Sequence, residues 1–258
     1  MLTSSPIFPE INYGSRLRAG VLVPSGNSVA EPELRAMLPP EVSLLVTRLS
    51  LRGSSRPELM RMLDQLEAAS TLLADAEVEV IVFHCTAVST FAPDMAEAIQ
   101  ERIKKATRKK CFTTADAILA ALSKLSARRV SLLTPYIDEV HRREVEFLQA
   151  CGFEVVGGAN LGIDTNAQMS QLEPKAILDW AQRNIGDASD VCFLSCTAIK
   201  SASIISALEK SSGKPVITSN QCMIWHLLRS SNVAGAAAGF GMLFGAPKQP
   251  SVTSSTGR

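Results

Sequence analysis

Two stretches decide how this chain is read: Val78-Glu79-Val80-Ile81-Val82-Phe83 running into His84-Cys85-Thr86-Ala87, and Asp190-Val191-Cys192-Phe193-Leu194 running into Ser195-Cys196-Thr197-Ala198. Each is an apolar run of strand length that ends beside a cysteine, where a helix is predicted to begin. The cysteines are 196 − 85 = 111 positions apart, and the same shift carries Pro24 in Val21-Leu22-Val23-Pro24 onto Pro135 in Leu132-Leu133-Thr134-Pro135. Two landmarks in one register predict a doubled unit. Each cysteine then sits at the carboxyl end of a parallel strand, the edge where open α/β sheets bind ligands.

Working outward, strand-like runs near 18–24, 42–49, 78–84, 109–113, 129–134, 153–157, 190–195 and 215–218 alternate with helical patterns. The helical segments are Pro57 to Ala76, Ala92 to Ala106, Ala115 to Leu125, Asp138 to Ala150, Pro174 to Asn184 and Ser201 to Ser211. Alternation of this kind predicts an α/β fold with right-handed crossovers, here two halves of four parallel strands each. Residues 1–15 read as an arm, 16–114 as the first half with Cys85, 115–246 as the second half with Cys196, and 247–258 as a flexible tail. A last helix, about Gln221 to Arg229, is placed to pack back on the first half.

With 258 residues, 46% of them hydrophobic, the chain has enough material for one large or two modest cores. A formal net charge of +1, with acids and bases interspersed, gives no basic face for nucleic acid and no cationic amphipathic segment for a membrane. The polar, proline-containing start lacks a signal-peptide core, and no apolar run approaches the roughly 20 residues of a membrane span. A cytoplasmic protein with a small-molecule partner is expected. Its six cysteines are then reduced, and no close-spaced CxxC pair suggests zinc.

A cysteine at a strand end feels the positive end of the following helix, which favours the thiolate. Cys85 and Cys196 are read as reactive for that reason, and Cys111, Cys151, Cys192 and Cys222 as packing residues. His84 is turned away from Cys85 by strand alternation and His226 lies inside a helix, so both read as structural.

The first strand runs into Val23-Pro24-Ser25-Gly26-Asn27-Ser28, which lacks both the dinucleotide and the P-loop glycine patterns. Ser25 and Asn27 are candidate carboxylate ligands, with helix capping as the alternative for Asn27. Tyr136, ending Thr134-Pro135-Tyr136, can bond a carboxylate or pass a proton, with a half-buried tyrosine whose hydroxyl is in water as the alternative. Asn166, after the turn Leu161-Gly162-Ile163-Asp164-Thr165, is a turn residue or a substrate amide. Thr86 and Thr197 follow the cysteines, and Ser219 and Asn220 open a helix that can hold an oxyanion or simply be capped. The loop Leu51-Arg52-Gly53-Ser54-Ser55-Arg56 is placed to fold over the site and offer an arginine to a second carboxylate, with surface solvation the favoured fate of its charges.

Together these landmarks resemble the aspartate/glutamate racemase superfamily, in the branch of maleate cis-trans isomerases and arylmalonate decarboxylases. The resemblance covers about Arg18 to Gly245. It rests on Val-Pro-Ser-Gly-Asn ending at Asn27, Cys85, Thr134-Pro135-Tyr136, the Gly162 to Asn166 turn, Cys196, and Ser219-Asn220-Gln221 followed by Trp225.

The resemblance implies two pseudo-symmetric Rossmann-like halves with the active site between them, needing no metal, pyridoxal phosphate or nicotinamide. It further implies two cysteines approaching a small carboxylate from opposite sides. Cys85 is then the nucleophile and Cys196 its acid/base partner, with Asn27, Tyr136 and Asn166 gripping carboxylates. Isomerisation of a small unsaturated dicarboxylate of the maleate type is the leading expectation. A two-cysteine racemase or epimerase of an amino acid, hydantoin or other α-substituted carboxylate is the alternative. Decarboxylase members typically keep only the second cysteine, which disfavours that chemistry here, and a non-catalytic carboxylate binder would tolerate loss of Cys85. A homo-oligomer is compatible with an apolar outer helix such as Ala115 to Leu125.

Overall fold

The computed structural model describes residues 11–53, 55–235 and 238–245, so residues 1–10 of the expected arm and the whole expected tail lie outside the described residues. In the first half the chain runs β1 (Leu17–Pro24), α1 (Ala30–Met37), β2 (Val42–Leu49), α2 (Arg56–Met62), α3 (Leu66–Asp75), β3 (Val80–Phe83), α4 (Thr86–Ser89), α5 (Met95–Thr107) and β4 (Lys110–Thr113). The connection is α6 (Thr114–Lys124). The second half continues with β5 (Arg129–Tyr136), α7 (Asp138–Ala150), β6 (Glu154–Ile163), α8 (Asn166–Met169), α9 (Pro174–Asn184), β7 (Val191–Leu194), α10 (Ile205–Ser212), β8 (Val216–Thr218), α11 (Ser219–Ser230) and α12 (Met242–Gly245).

The strands form two four-stranded sheets of the same order, β2-β1-β3-β4 and β6-β5-β7-β8, and every pairing is parallel. The doubling extends to register. Leu22 pairs with Phe83 and Leu133 with Leu194, and both members of the second pair are 111 positions beyond the first. The shift fails at the outer strands. Val21 faces Val46 on β2, whereas Leu132 faces Gly158 on a bulged β6. Gly158 has φ of +127°, and a Cβ there would lie 1.9 Å from Leu132 O, so only glycine fits the bulge.

Strand alternation sorts the core into three layers. Val21, Val23 and Val82 from one sheet, with Leu132 and Phe193 from the other, share an inner core with α1, α6 and α11. Leu22, Ile81 and Phe83 pack outward on α2, α3 and α5, while Leu133, Cys192 and Leu194 pack outward on α9 and α10. Helix α6 was read as an outer helix; it is an inner one, lying against α11, with Ala115, Ala117 and Ala121 fully buried. Its small side chains let the two helix backbones approach. Helix α11 also packs on α1, so it touches the first half.

Two helical readings need adjustment. The segment from Pro57 is not one helix: a 3-10 turn at Leu63–Gln65 separates α2 from α3. The helix expected from Ser201 starts as a 3-10 turn at Ala202–Ile204 before becoming α10. Helices α6 and α11 start alike, each with a capping box: Thr113 with Asp116, and Thr218 with Gln221. These boxes fix the start of the two inner helices beside the strand ends that carry the cysteines.

Candidate active site

The two cysteine junctions begin alike. His84 N donates to Leu22 O and Ser195 N to Leu133 O, both at 2.8 Å. They then diverge. Cys85 is extended (φ −146°, ψ 109°) and caps α4, with Ser89 N donating to Cys85 O at 3.0 Å and Thr90 N to Thr86 O at 2.9 Å. Cys196 has φ of +105°, a region costly for a residue with a Cβ, and a turn follows rather than the expected helix. Thr197 O, which a helix would give to a following amide, instead accepts from Asn27 Nδ2 at 3.0 Å and Asn220 Nδ2 at 3.3 Å. Ala198 N turns to Cys196 Sγ at 3.2 Å.

Both cysteines line one small cavity of about 20 Å³, with Pro24, Leu51, Gly53, Leu59, Thr86, Ala87, Tyr136, Asp164, Asn166, Met169 and Thr197 completing its wall. That volume suits little more than one water molecule. Part of the cavity wall, Leu51 and Gly53, comes from the loop after β2. This loop is tied down by Gly26 N to Leu51 O at 3.2 Å and Asn166 N to Arg52 O at 3.1 Å, so both halves hold it. A larger groove of about 640 Å³ lies at the opposite, amino-terminal edge of the first sheet; it is lined by Cys111 and His226, both read as structural, and by none of the predicted site residues.

The expected ease of ionisation is overturned. Burial pushes both thiols up to about 12, and this desolvation exceeds the opposing help from backbone amides of Val88 and Ala87 at Cys85. At Cys196 the opposing donors are the Tyr136 hydroxyl and Ala198 N. A one-turn helix end is too small a counter-charge for a thiolate removed from water. The resting site thus holds two neutral thiols, each with donors aimed at the sulfur.

Tyr136 is 4% exposed and stays a phenol, its ionisation opposed chiefly by burial. Asn166 Nδ2 is buried without a hydrogen-bond partner, on the cavity wall. An unsatisfied buried donor of this kind is rare and calls for an acceptor.

The remaining predicted polar residues form the frame. Of its two expected roles Asn27 fills the structural one, Oδ1 accepting from Val29 N and Ala30 N, each at 2.9 Å, at the start of α1; its Nδ2 is given not to an open carboxylate position but across the cleft to Thr197 O and Oγ1. Asn27 is not part of the cavity wall. Ser25 is exposed, exchanging hydrogen bonds with Leu51. Ser219 Oγ receives Thr86 Oγ1 at 2.9 Å and Cys196 N at 3.1 Å, joining the two junctions.

Asn220 lies beneath the cavity, donating to Glu33 Oε2 at 2.7 Å, so its Oδ1 accepts from His84 Nε2 at 2.8 Å. His84 Nδ1 then accepts from Thr114 Oγ1 at 3.0 Å. Burial drives this imidazole down to about 4, so it is neutral. His226 packs edge-on against Phe112.

The loop expected over the site does line it, through Leu51 and Gly53, but sequence reasoning missed Met169, whose Sδ is 3.7 Å from Cys196 Sγ, and the apolar wall residue Leu59. No residue-type signal marks them; only the fold brings them in. Among the described residues no group of three or more His, Cys, Asp or Glu side chains is placed to hold a metal, and no helix is long and apolar enough to cross a membrane.

Comparison with known proteins gives the same fold and a family. Maleate isomerase of Nocardia farcinica (strain IFM 10152) is 26% identical over 237 residues, 88% of this chain and 94% of that protein. Arylmalonate decarboxylase of Bordetella bronchiseptica is 28% identical over 230 residues, 87% of this chain and 95% of that protein. The solved structure of Nocardia farcinica maleate cis-trans isomerase bound to TRIS matches with a TM-score of 0.82 at 26% identity, covering 88% of this chain and 98% of that one. A family model described as arylmalonate decarboxylase spans residues 19–244, nearly the whole of both halves, and the chain belongs to that family.

Proposed function

We propose that this protein is a cofactor-independent cis-trans isomerase of a small unsaturated dicarboxylate, with maleate as substrate and fumarate as product. The observation that carries the reading is the pair of thiols on one small cavity, beside a buried amide donor, Asn166 Nδ2, that lacks an acceptor. The similarity to maleate isomerases over most of the chain supports it.

In this reading the active form carries a thiolate on Cys85 and a thiol on Cys196. Cys85 sulfur adds to one alkene carbon, forming an S–C bond and pushing the π pair onto the neighbouring carbon and its carboxylate as an enediolate. The former double bond is now single and rotates. Return of the electron pair breaks the S–C bond and releases the trans acid and the thiolate. Cys196 can lend its proton to the carbanionic carbon and take it back, holding the intermediate as a thioether. Asn166 and the Tyr136 hydroxyl stabilise the oxygen charge that grows along this path, and Asn27 keeps the Thr197 wall in place. Burial makes thiolate the scarce species, so turnover rises with pH until the fold gives way.

The protein acts on this small carboxylate in the cytoplasm, without nucleic acid or membrane. Proton NMR of the reduced protein with maleate, beside Cys85→Ser and Cys196→Ser, tests the reading. Fumarate from the wild type alone is the expected result. Unchanged maleate with a folded protein rejects it and moves the assay to arylmalonates, amino acids and hydantoins.

A further inference from the structure

The 111-residue shift relates a second pair of residues, Glu33 on α1 and Glu144 on α7, since 144 − 33 = 111. Both helices follow the first strand of their half; the Glu144 side chain is buried and that of Glu33 half-buried. Their partners differ. Glu33 reaches across the cleft to second-half donors: Asn220 Nδ2 at 2.7 Å, Ala202 N at 2.8 Å and Ser201 Oγ at 3.4 Å. Glu144, 1% exposed, stays within its own half and accepts from Ser195 Oγ alone, at 2.7 Å. Its Oε2 is buried with no partner.

Ser195 bonds Glu144, and Tyr136 and Cys196 feel its charge; Cys196 also feels that of Glu33. Tyr136 ends β5, and Ser195 and Cys196 follow β7. On its own helix His141 turns to Thr134 Oγ1 at 3.1 Å, and Arg143 pairs with Glu139 and stacks over Phe91 at 4.5 Å. Burial favours the neutral form of His141, and neither it nor Arg143 pairs with the Glu144 carboxyl among the described residues. Duplication thus put one carboxyl in each half, yet both reach toward the second-half strand end, and none is set against Cys85 in the same way.

We propose that Glu144 is a positioning residue that decides which cysteine keeps its proton, acting through its charge on Cys196 and Tyr136 and leaving Cys85 as the thiol that ionises. The role rests on the two-cysteine reading above. Burial lifts this carboxyl to about 7 against the one Ser195 hydrogen bond, so it changes charge in the working range. Once ionised it opposes loss of the proton from Cys196 and from the Tyr136 hydroxyl bonded to it.

The test is iodoacetamide labelling of the full-length, reduced protein, with each cysteine read separately by peptide mass spectrometry. In a Cys85→Ser background, Glu144→Gln should speed labelling of Cys196 at pH 8 by roughly threefold to tenfold, half a unit to one unit of thiol ionisation. Cys85, read in a Cys196→Ser background, should not change. Should Glu144→Gln fail to fold, Ser195→Ala removes the carboxyl's one donor and delays its ionisation. Cys196 should then react faster than in the parent near pH 7.5 and converge on it by pH 9. Equal labelling of Cys196 with and without the substitution, or an equal gain at Cys85, overturns the proposal. Labelling needs no substrate, so absence of fumarate from the wild type would instead overturn the isomerase reading.

Discussion

The Cys85 and Cys196 junctions descend from the same position of a repeated unit, and they now do different things with the same backbone groups. After Cys85, Thr86 O accepts Thr90 N and a helix forms at once. After Cys196, Thr197 O accepts two asparagine side chains, one from each half, and the chain turns with Cys196 at positive φ. The first junction is finished by local bonds and the second by long-range ones. A doubled fold therefore yields two unlike thiols without unlike strands: the divergence lies in what the carbonyl after each cysteine is given to hold.

Changes that bear on this contrast should range from loss of chemistry to slight loss of stability. Cys85→Ser is expected to lower turnover at least about a thousandfold, as removal of a nucleophile does, and Cys196→Ser by about a hundredfold to ten-thousandfold, the range of acid/base assistance. Fumarate formation followed by NMR, with circular dichroism as the fold control, measures both; equal loss would erase the distinction in roles.

On stability, Gly158→Ala in the bulged strand should cost about 3 kcal/mol or more, from backbone strain and collision with Leu132 O. Val46→Ala, at the equivalent site of the straight β2, should cost about 1 kcal/mol in urea unfolding.

Glu144 also gives the second half its own pH dependence. Its carboxyl is raised to about 7 in the folded protein, so between the usual carboxylate range and neutrality the folded state holds a proton that the unfolded state has lost. Stability contributed by this group is complete below that window and falls as pH rises through it. Glu144→Gln should flatten the fall, an effect on the order of 3 kcal/mol between pH 4 and pH 8 in urea titrations.

Asn166→Ala should raise KM for maleate roughly tenfold to a hundredfold, the value of a hydrogen bond to a charged group, with a smaller change in kcat. The two capping boxes provide the symmetric control. Thr113→Ala and Thr218→Ala should each cost about 1 kcal/mol, and alike, because that part of the repeat has not diverged.

What the sequence made legible follows from the same contrast. Strand ends at Pro24, Cys85, Pro135 and Cys196 were readable because apolar runs and a common shift are local or periodic signals. Helices α7 and α9 were found residue for residue, since Asp138 and Pro174 mark their starts. The turn after Cys196 was not readable: it depends on Asn27, 170 positions away, reaching Thr197 O. The thiols' reluctance to ionise was hidden for a related reason, as desolvation depends on the whole enclosure and not on the neighbours in sequence. Asn166 was marked by its turn, but the bare amide proton that makes it interesting is a property of the cavity.

The close seating of α6 on α11 has a mechanical meaning for the chemistry. Both helices start at strand ends bordering the cleft, and Thr114 and Ser219, their first residues, bond directly to His84 and Thr86. The spacing of this pair, set on one side by the alanines of α6, therefore acts as a caliper for the gap between the sulfurs. A methyl group added at Ala117 or Ala121, far from any substrate, would reset the reach of one thiol toward the other before it touched a single atom of the site.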